Sequence, residues 1–138
     1  MDSFEKQMIN PEGLAPPRGF THGILVTGGK LLFLAGQDAS DARGKIVAQG
    51  DLVGQFEQAL RNLATVVEAA GGKPTDIVKL TLFVKSRDDY VAALRPLGQV
   101  YRRIFGEYYP AMALFEVSGF FQSEALVEIE GIAVLQEG

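Results

Sequence analysis

The sequence predicts an α+β fold, a mixed β-sheet with two helices packed on one face. Apolar residues recur at steps of three and four between Leu52 and Ala70, which is typical of an amphipathic helix. Apolar and polar residues alternate over 77–84, and two further apolar stretches close the sequence, as expected for strands. The predicted order of elements is β-β-(β)-α-β-α-β-β. Residues 1–138 are interpreted as one domain, because no repeat, low-complexity segment or linker interrupts them.

The first part of the chain predicts a β-hairpin after an irregular segment. Residues 1–18 are polar and contain several prolines, which favours irregular backbone. A strand over 20–26 leads to Gly28-Gly29, a pair typical of a two-residue hairpin turn, and 31–35 forms the return strand. A polar loop follows, and residues 46–47 are expected to add a short strand.

The central part predicts a helix and then a strand. Asp51 is a suitable N-cap for the helix, and Gly71-Gly72 ends it as a C-terminal cap. In the strand over 77–84, alternate residues share a face. One predicted face carries Val78, Leu80, Leu82 and Val84, and the other carries Lys79, Thr81, Phe83 and Lys85.

The last part predicts a second helix and two strands. A short turn is expected over 88–94, and a new helix begins with Pro96 at its first position, where the missing N–H costs nothing. Gly106 ends this helix, and strands follow at 109–117 and 126–134. The buried stripe of the helix is predicted to be Leu97, Val100, Tyr101, Ile104 and Phe105.

Composition excludes several functional classes. The net charge is −4 without a run of basic residues, which argues against binding nucleic acid. The chain has no cysteine, so disulfides, thiolate catalysis and cysteine metal sites are excluded. The first residues do not form a signal peptide, and no apolar run reaches the ~20 residues of a membrane span. We expect a cytoplasmic protein that binds neither membranes nor nucleic acid.

The sheet is also predicted to have an apolar face that the helices leave open. Leu34, Leu82, Leu114 and Leu135 are assigned to it, and they would make it too apolar for water. Self-association is the simplest way to cover such a face.

Several motifs, in order and at consistent spacing, resemble the Rid family (YjgF-type, also called endoribonuclease L-PSP). They are Asn10-Pro11-Glu12-Gly13-Leu14, Leu34-Ala35-Gly36-Gln37, Gln58-Ala59-Leu60, Tyr109-Pro110-Ala111 and Val127-Glu128-Ile129-Glu130. The resemblance implies a chorismate-mutase-like subunit, a homotrimer, and small-molecule clefts between neighbouring subunits.

The resemblance also implies an activity, the hydrolysis of imines and enamines released by pyridoxal-phosphate enzymes. In the family, an arginine anchors the substrate carboxylate and a glutamate with ordered water assists hydrolysis. The arginine falls on Met112 here, whereas the glutamate is kept as Glu128. Neither a metal nor a cofactor is expected. The predicted catalytic residue is Glu128, and the predicted cleft residues are Phe20, Ala35, Gln37, Met112 and Leu114.

The substitutions in this predicted cleft remove polar groups that the family uses. The aromatic hydroxyl falls on Phe20, the serine before Gly-Gln on Ala35, and the small residue after the arginine on Leu114. Methionine offers no hydrogen-bond donor, and losing a charge-assisted bond costs ~1.5–3 kcal/mol, or roughly 10- to 150-fold in binding. We therefore expect altered specificity and little hydrolysis of 2-aminoacrylate-type imines. In an apolar cleft, desolvation would raise the pKa of Glu128 and suit it to acid–base work.

Three functions remain open at this point. The first is a Rid-like hydrolase or deaminase whose substrate lacks the usual carboxylate contact. The second is a non-catalytic trimer that binds a small metabolite or regulates a partner. The third, a translation-inhibiting ribonuclease, ranks lowest because the chain is acidic and has one histidine.

Overall fold

The computed structural model of the protein describes residues 4–137, so the first residues of the predicted irregular segment lie outside that range. Within it, the chain forms strands and α-helices, with a short 3₁₀ turn at Pro74–Asp76 before the fourth strand. The elements are β1 Glu5–Ile9, β2 Gly23–Thr27, β3 Lys30–Gln37, α1 Leu52–Ala69, β4 Ile77–Val84, α2 Arg87–Ala92, α3 Leu94–Phe105, β5 Ala111–Glu116 and β6 Val127–Leu135.

The main sheet is mixed, as predicted. Its strand order is β3-β6-β4-β5, with β4 and β5 parallel and the other pairs antiparallel. A second sheet consists of β1 and β2, which pair antiparallel. An isolated parallel bridge between Thr21 and Ala111 ties the approach to β2 to the start of β5.

Helix α1 forms as the sequence predicts. The carboxylate of Asp51 accepts a hydrogen bond from the N–H of Gly54 at 3.0 Å, which satisfies one of the free donors of the first turn. At the other end Gly71 has a φ of 92°, and the N–H of Gly72 donates to the carbonyl of Val67 at 2.9 Å. Most of the apolar stripe between these caps is buried, namely Phe56, Ala59, Leu60, Leu63 and Val67.

The core lies between the main sheet and helices α1 and α3. Leu60 and Leu63 of α1 are almost completely buried, as is Leu97 of α3. They belong to one apolar cluster with Leu80 of β4 and Ile129 of β6. The long helices therefore cover the same face of the sheet, which confirms the predicted α+β arrangement.

The predicted start of the fold needs two corrections. Strand β1 lies inside the segment predicted to be irregular, and β2 pairs with β1 instead of forming a hairpin with β3. The Gly28-Gly29 turn has the expected positive φ values of 77° and 87°, but β3 leaves it to pair with β6. The placement of β1 depends on a distant contact: the Lys6 ammonium donates to the carbonyl of Thr75 at 2.5 Å. Local sequence carries no signal for such a contact.

Two smaller predictions also change. Residues 87–92 form a short helix, α2, because the Ser86 hydroxyl caps it by accepting from the N–H of Asp89 at 3.1 Å. Helix α3 begins at Leu94, so Pro96 is its third residue, still within the first turn whose N–H groups have no helical acceptor. In place of the short strand at 46–47, Ile46 makes one isolated bridge with Ser40.

The open face of the sheet is apolar, but different residues make it so. All four residues predicted for this face lie on the helix side instead: Leu82 and Leu114 are register partners that point toward the helices, and Leu34 and Leu135 are buried in the core. The opposite face exposes Leu31, Phe33 and Phe115 at 66%, 71% and 51%. Between residues 4 and 137, no helix is both long enough and apolar enough to cross a lipid bilayer.

Candidate functional site

A cleft of about 590 Å³ opens between β5 and the helices α2 and α3. Its volume is within the range of small-molecule sites, which is roughly 300–1,000 Å³. Its lining is mostly aliphatic and aromatic. The lining residues are Arg18, Gly19, Phe20, Phe56, Leu60, Leu80, Leu82, Tyr90, Leu94, Leu97, Gly98, Tyr101, Arg102, Tyr109, Met112, Ala113 and Leu114.

The segment before β2 places Phe20 in this cleft. Gly19 has a φ of 74°, a left-handed conformation that favours glycine. Thr21 then anchors the chain to β5: its N–H donates to the carbonyl of Pro110 at 3.1 Å and its hydroxyl to that of Tyr109 at 2.5 Å. Because Thr21 is buried, these bonds fix Phe20 against the start of β5.

The sheet side of the cleft is made by neighbouring residues of two parallel strands. Met112 pairs in register with Leu80, and Leu114 pairs with Leu82. Met112 and Leu114 alternate with Ala113, so they share the face that looks toward the helices. The position that carries arginine in the family pattern therefore presents a thioether to the cleft, with no charge and no donor.

Aromatic stacking builds the wall at α3. The Tyr101 ring lies parallel to Phe105 at 4.6 Å between centroids and to Tyr109 at 5.2 Å. The Tyr101 hydroxyl donates to the carbonyl of Tyr108 at 2.5 Å, and the Tyr108 hydroxyl donates to that of Ile77 at 2.5 Å. Burial raises the pKa of Tyr101 and raises that of Tyr108 to about 12. Both tyrosines are therefore structural donors that stay neutral, not acid–base groups.

Glu128 lies on the other face of the sheet. It pairs in register with Phe83, whereas its neighbour Ile129 pairs with Leu82 and points into the core. Its carboxylate sits directly over Gly36, where a Cβ atom would collide with it. The family-like Gly36 is thus explained by close approach of this carboxylate.

Burial raises the pKa of Glu128, and the nearby charges of Asp38 and then Glu130 raise it further. The Asp38 carboxylate is itself held by the hydroxyl of Ser40 and by the amide of Gln122 at 3.3 Å. Sequence reasoning placed Asp38 in a polar loop and missed its role beside Glu128. Its proximity depends on how the loop folds back, which the residue types do not reveal.

Asn62 supports the same loop. Its amide nitrogen donates to the carbonyls of Asp38 and Ser40 at 3.1 and 2.9 Å, and its oxygen accepts from Gln58 at 2.9 Å. These bonds give Asn62 a structural role, and it is not among the residues that line the cleft. It orders the loop that carries the neighbour of Glu128.

The structure brings together three of the six predicted site residues. Phe20, Met112 and Leu114 line the cleft, whereas Ala35, Gln37 and Glu128 do not. Ala35 is exposed on β3, and Gln37 lies opposite Ile129 after an irregularity in the β3 register. A single chain therefore does not bring Glu128 to the cleft. The two could meet only where one subunit contacts another.

Metal-binding side chains do not cluster in the described part of the chain. Residues 4–137 contain no group of three or more His, Cys, Asp or Glu side chains arranged to hold an ion. The charges of Asp38 and Glu130 act on Glu128, yet these three carboxylates do not form such a set.

The chain is similar to proteins of known family along nearly its whole length. The family model described as Endoribonuclease L-PSP matches residues 12–135. A RutC family protein of Pyrococcus horikoshii is 34% identical over 128 residues, covering 93% of this chain and 97% of that protein. A 2-iminobutanoate/2-iminopropanoate deaminase of Salmonella typhimurium is 36% identical over 109 residues, covering 77% and 80%.

Solved structures agree with this assignment. A Yersinia pestis protein of unknown function from the conserved Rid family matches with a TM-score of 0.85 at 34% identity, covering 94% of this chain and 98% of that one. The YjgF gene product of E. coli matches with a TM-score of 0.64 at 32% identity, covering 83% and 87%. The chain belongs to the endoribonuclease L-PSP family, also called the Rid or YjgF family, and has its α+β fold.

Proposed function

We propose that the protein is a Rid-type hydrolase that acts on imine or enamine metabolites carrying a bulky apolar group. Water adds to the C=N bond of the imine, ammonia leaves, and a carbonyl compound remains. The Glu128 carboxylate carries this proposal, because burial and neighbouring charges raise its pKa toward the range useful for proton transfer. Relatives that include 2-iminobutanoate/2-iminopropanoate deaminases support the reaction class.

The catalytic site is proposed to form between subunits of a homotrimer. Leu31, Phe33 and Phe115 make the face around Glu128 unusually apolar for a surface in contact with water. A neighbouring subunit that covers this face would shield those side chains and bring its own cleft to Glu128. The Met112 side of one subunit and Glu128 of another would then complete one site.

Substrate specificity is proposed to differ from that of relatives that carry the arginine. The sheet side of the cleft consists of Leu80, Leu82, Met112 and Leu114, which make no hydrogen bonds to a carboxylate. A small substrate such as 2-iminopropanoate would lose its anchor without gaining apolar contact. A large aliphatic or aromatic side chain would bury more surface, at about 25 cal/mol per Å².

Imine hydrolysis tests the proposed function. The protein is added to a pyridoxal-phosphate lyase reaction that generates imines of increasing side-chain size, with an arginine-bearing relative as control. We expect acceleration for branched or aromatic imines and little for 2-aminoacrylate. Glu128→Gln should abolish the acceleration, whereas Glu130→Gln, two residues along the same face, should retain most of it. Equal rates for wild type and Glu128→Gln would refute the catalytic assignment.

A non-catalytic binding module is the second candidate, and one observation favours it. The described cleft residues include no histidine, aspartate, glutamate or lysine, the side chains that most often serve as general acids and bases. If no subunit contact brings Glu128 to the cleft, the cleft binds without turnover. Ligand binding that survives Glu128→Gln, in a protein that accelerates no imine hydrolysis, would favour this alternative.

Endoribonuclease activity ranks third despite the family's name. The net charge of −4 and the repelling carboxylates around Glu128 disfavour a polyanionic substrate. The expected cytoplasmic location stays a prediction from the sequence.

A further inference from the structure

Two arginines line the otherwise apolar cleft. Arg102 belongs to α3, and Arg18 belongs to the segment that leads into β2. Both are exposed at the solvent side, and no aspartate or glutamate lies among the described lining residues. The cleft therefore combines an uncharged interior with an entrance that carries two positive charges.

Neither arginine is paired with a carboxylate in the described chain. The ion pairs found within residues 4–137 involve Arg61, Arg87 and Arg103, the last of which reaches Glu57 at 3.7 Å. Arg103 is next to Arg102 in sequence but is not among the residues that line the cleft. Arg102 thus keeps its donors available, whereas its neighbour is partnered.

A glycine makes room for the Arg102 guanidinium. Gly98 lies one helical turn before it on α3, and a Cβ atom built there would stand 3.1 Å from Nη1 of Arg102. The guanidinium therefore folds back along the helix over Gly98, which itself lines the cleft. A side chain at this position would require the guanidinium to shift.

We propose that Arg102, together with Arg18, binds the carboxylate of a ligand whose aromatic or large aliphatic group fills the cleft interior. The carboxylate would thus be bound on the α3 side of the cleft, whereas the family pattern has its arginine at position 112 on the sheet. Guanidinium groups suit this task because they bind carboxylates with two parallel hydrogen bonds. The inference rests on the proposed function and names its substrate class, 2-imino acids with bulky apolar side chains.

Binding of stable analogues tests this inference by calorimetry. Phenylpyruvate has both the aromatic group and the carboxylate, phenylacetone lacks the carboxylate, and pyruvate lacks the aromatic ring. We expect phenylpyruvate to bind more tightly than either, and more weakly as salt is raised, since exposed charges are screened. Failure of the wild-type protein to bind phenylpyruvate more tightly than phenylacetone would overturn the inference.

Substitutions of single arginines test which of them binds the carboxylate. Arg102→Gln should weaken phenylpyruvate binding roughly 10-fold, the lower end for a charge-assisted bond at a solvent-exposed site, and should leave phenylacetone binding unchanged. Arg103→Gln is the matched control and should change neither. Unchanged phenylpyruvate binding in both Arg102→Gln and Arg18→Gln would overturn the inference, as would equal weakening by Arg103→Gln. Because binding is measured without turnover, a failed hydrolysis assay leaves this result interpretable on its own.

Discussion

At the scale of single residues, the Glu128 carboxylate lies so close to Gly36 that it leaves no space for a side chain there. A Cβ atom at residue 36 would overlap the Glu128 carboxylate. We expect Gly36→Ala to displace that carboxylate and to reduce imine hydrolysis strongly. Gly119→Ala is a suitable control, because a Cβ there meets nothing within 4 Å. Wild-type kinetics in Gly36→Ala would contradict the assignment of Glu128.

The protonation of Glu128 predicts how stability depends on pH. Burial, Asp38 and Glu130 raise its pKa in the folded protein above the ordinary value of 4.5. The folded state therefore binds its proton more tightly than the unfolded state does. Its contribution to stability is complete below the unfolded pKa and is lost as pH rises through the folded pKa. Glu128→Gln should thus be more stable than wild type at neutral pH.

Thermal unfolding at several pH values measures how the charge on Glu128 affects stability. The difference in Tm between Glu128→Gln and wild type should grow as the pH rises from about 4 to about 7, where the wild-type carboxylate becomes charged. A constant difference over this range would mean that the environment does not shift the pKa of Glu128.

At the scale of elements, helix α1 contributes to stability mainly through its buried face. Leu63 of α1 is completely buried in the main core, whereas Val66 of the same helix is 37% exposed. Leu63→Ala should lower the free energy of unfolding by ~2–5 kcal/mol, because it removes buried methyl groups and leaves a cavity. Val66→Ala should cost much less. Denaturant unfolding of both variants measures the difference.

In helix α3, replacing Gly98 should change stability and ligand binding in opposite directions. Gly98 weakens the helix, and replacing a helical glycine by alanine gains up to ~1 kcal/mol. The new methyl group would also press on the guanidinium of Arg102, which lies 3.1 Å from that point. Gly98→Ala should therefore unfold at a higher temperature yet bind phenylpyruvate less tightly. A variant that gains stability and keeps full affinity would show that Arg102 does not depend on this space.

Elements with a strong local pattern could be predicted from the sequence, and those fixed by distant contacts could not. Helix α1 has caps at Asp51 and Gly71 and an unbroken apolar stripe, so its bounds were confirmed. Strand β1 depends on Lys6 reaching Thr75, a contact between residues far apart in the chain.

The candidate site was predicted only in part for the same reason. Alternation showed that Met112 and Leu114 share a face, but the strand register decides which face, and it places Glu128 on the other one. Pairing of β4 with both β5 and β6 sets that register, and no local pattern records it. Arg102 was missed because its position in the cleft depends on the space at Gly98.

At the scale of the whole molecule, the open sheet face predicts that the protein self-associates. Phe33 is 71% exposed on that face, on the edge strand β3, and Val91 is 43% exposed on α2 in the helix layer. Phe33→Asp should convert the proposed trimer to monomers, because it would place a charge in an apolar interface. Val91→Asp is the control and should stay trimeric. Light scattering after size-exclusion chromatography distinguishes the two.

The main sheet separates the proposed substrate-binding cleft from the proposed catalytic carboxylate, two features that many sites combine in one pocket. The cleft is built by a single chain on one side of it, and Glu128 lies on the other. We therefore expect substitutions in the cleft to leave the contact of the Glu128 carboxylate with Gly36 unchanged. Under the proposed function, a substitution at position 112 can therefore change which substrates fit the cleft without changing Glu128, the proposed catalytic carboxylate.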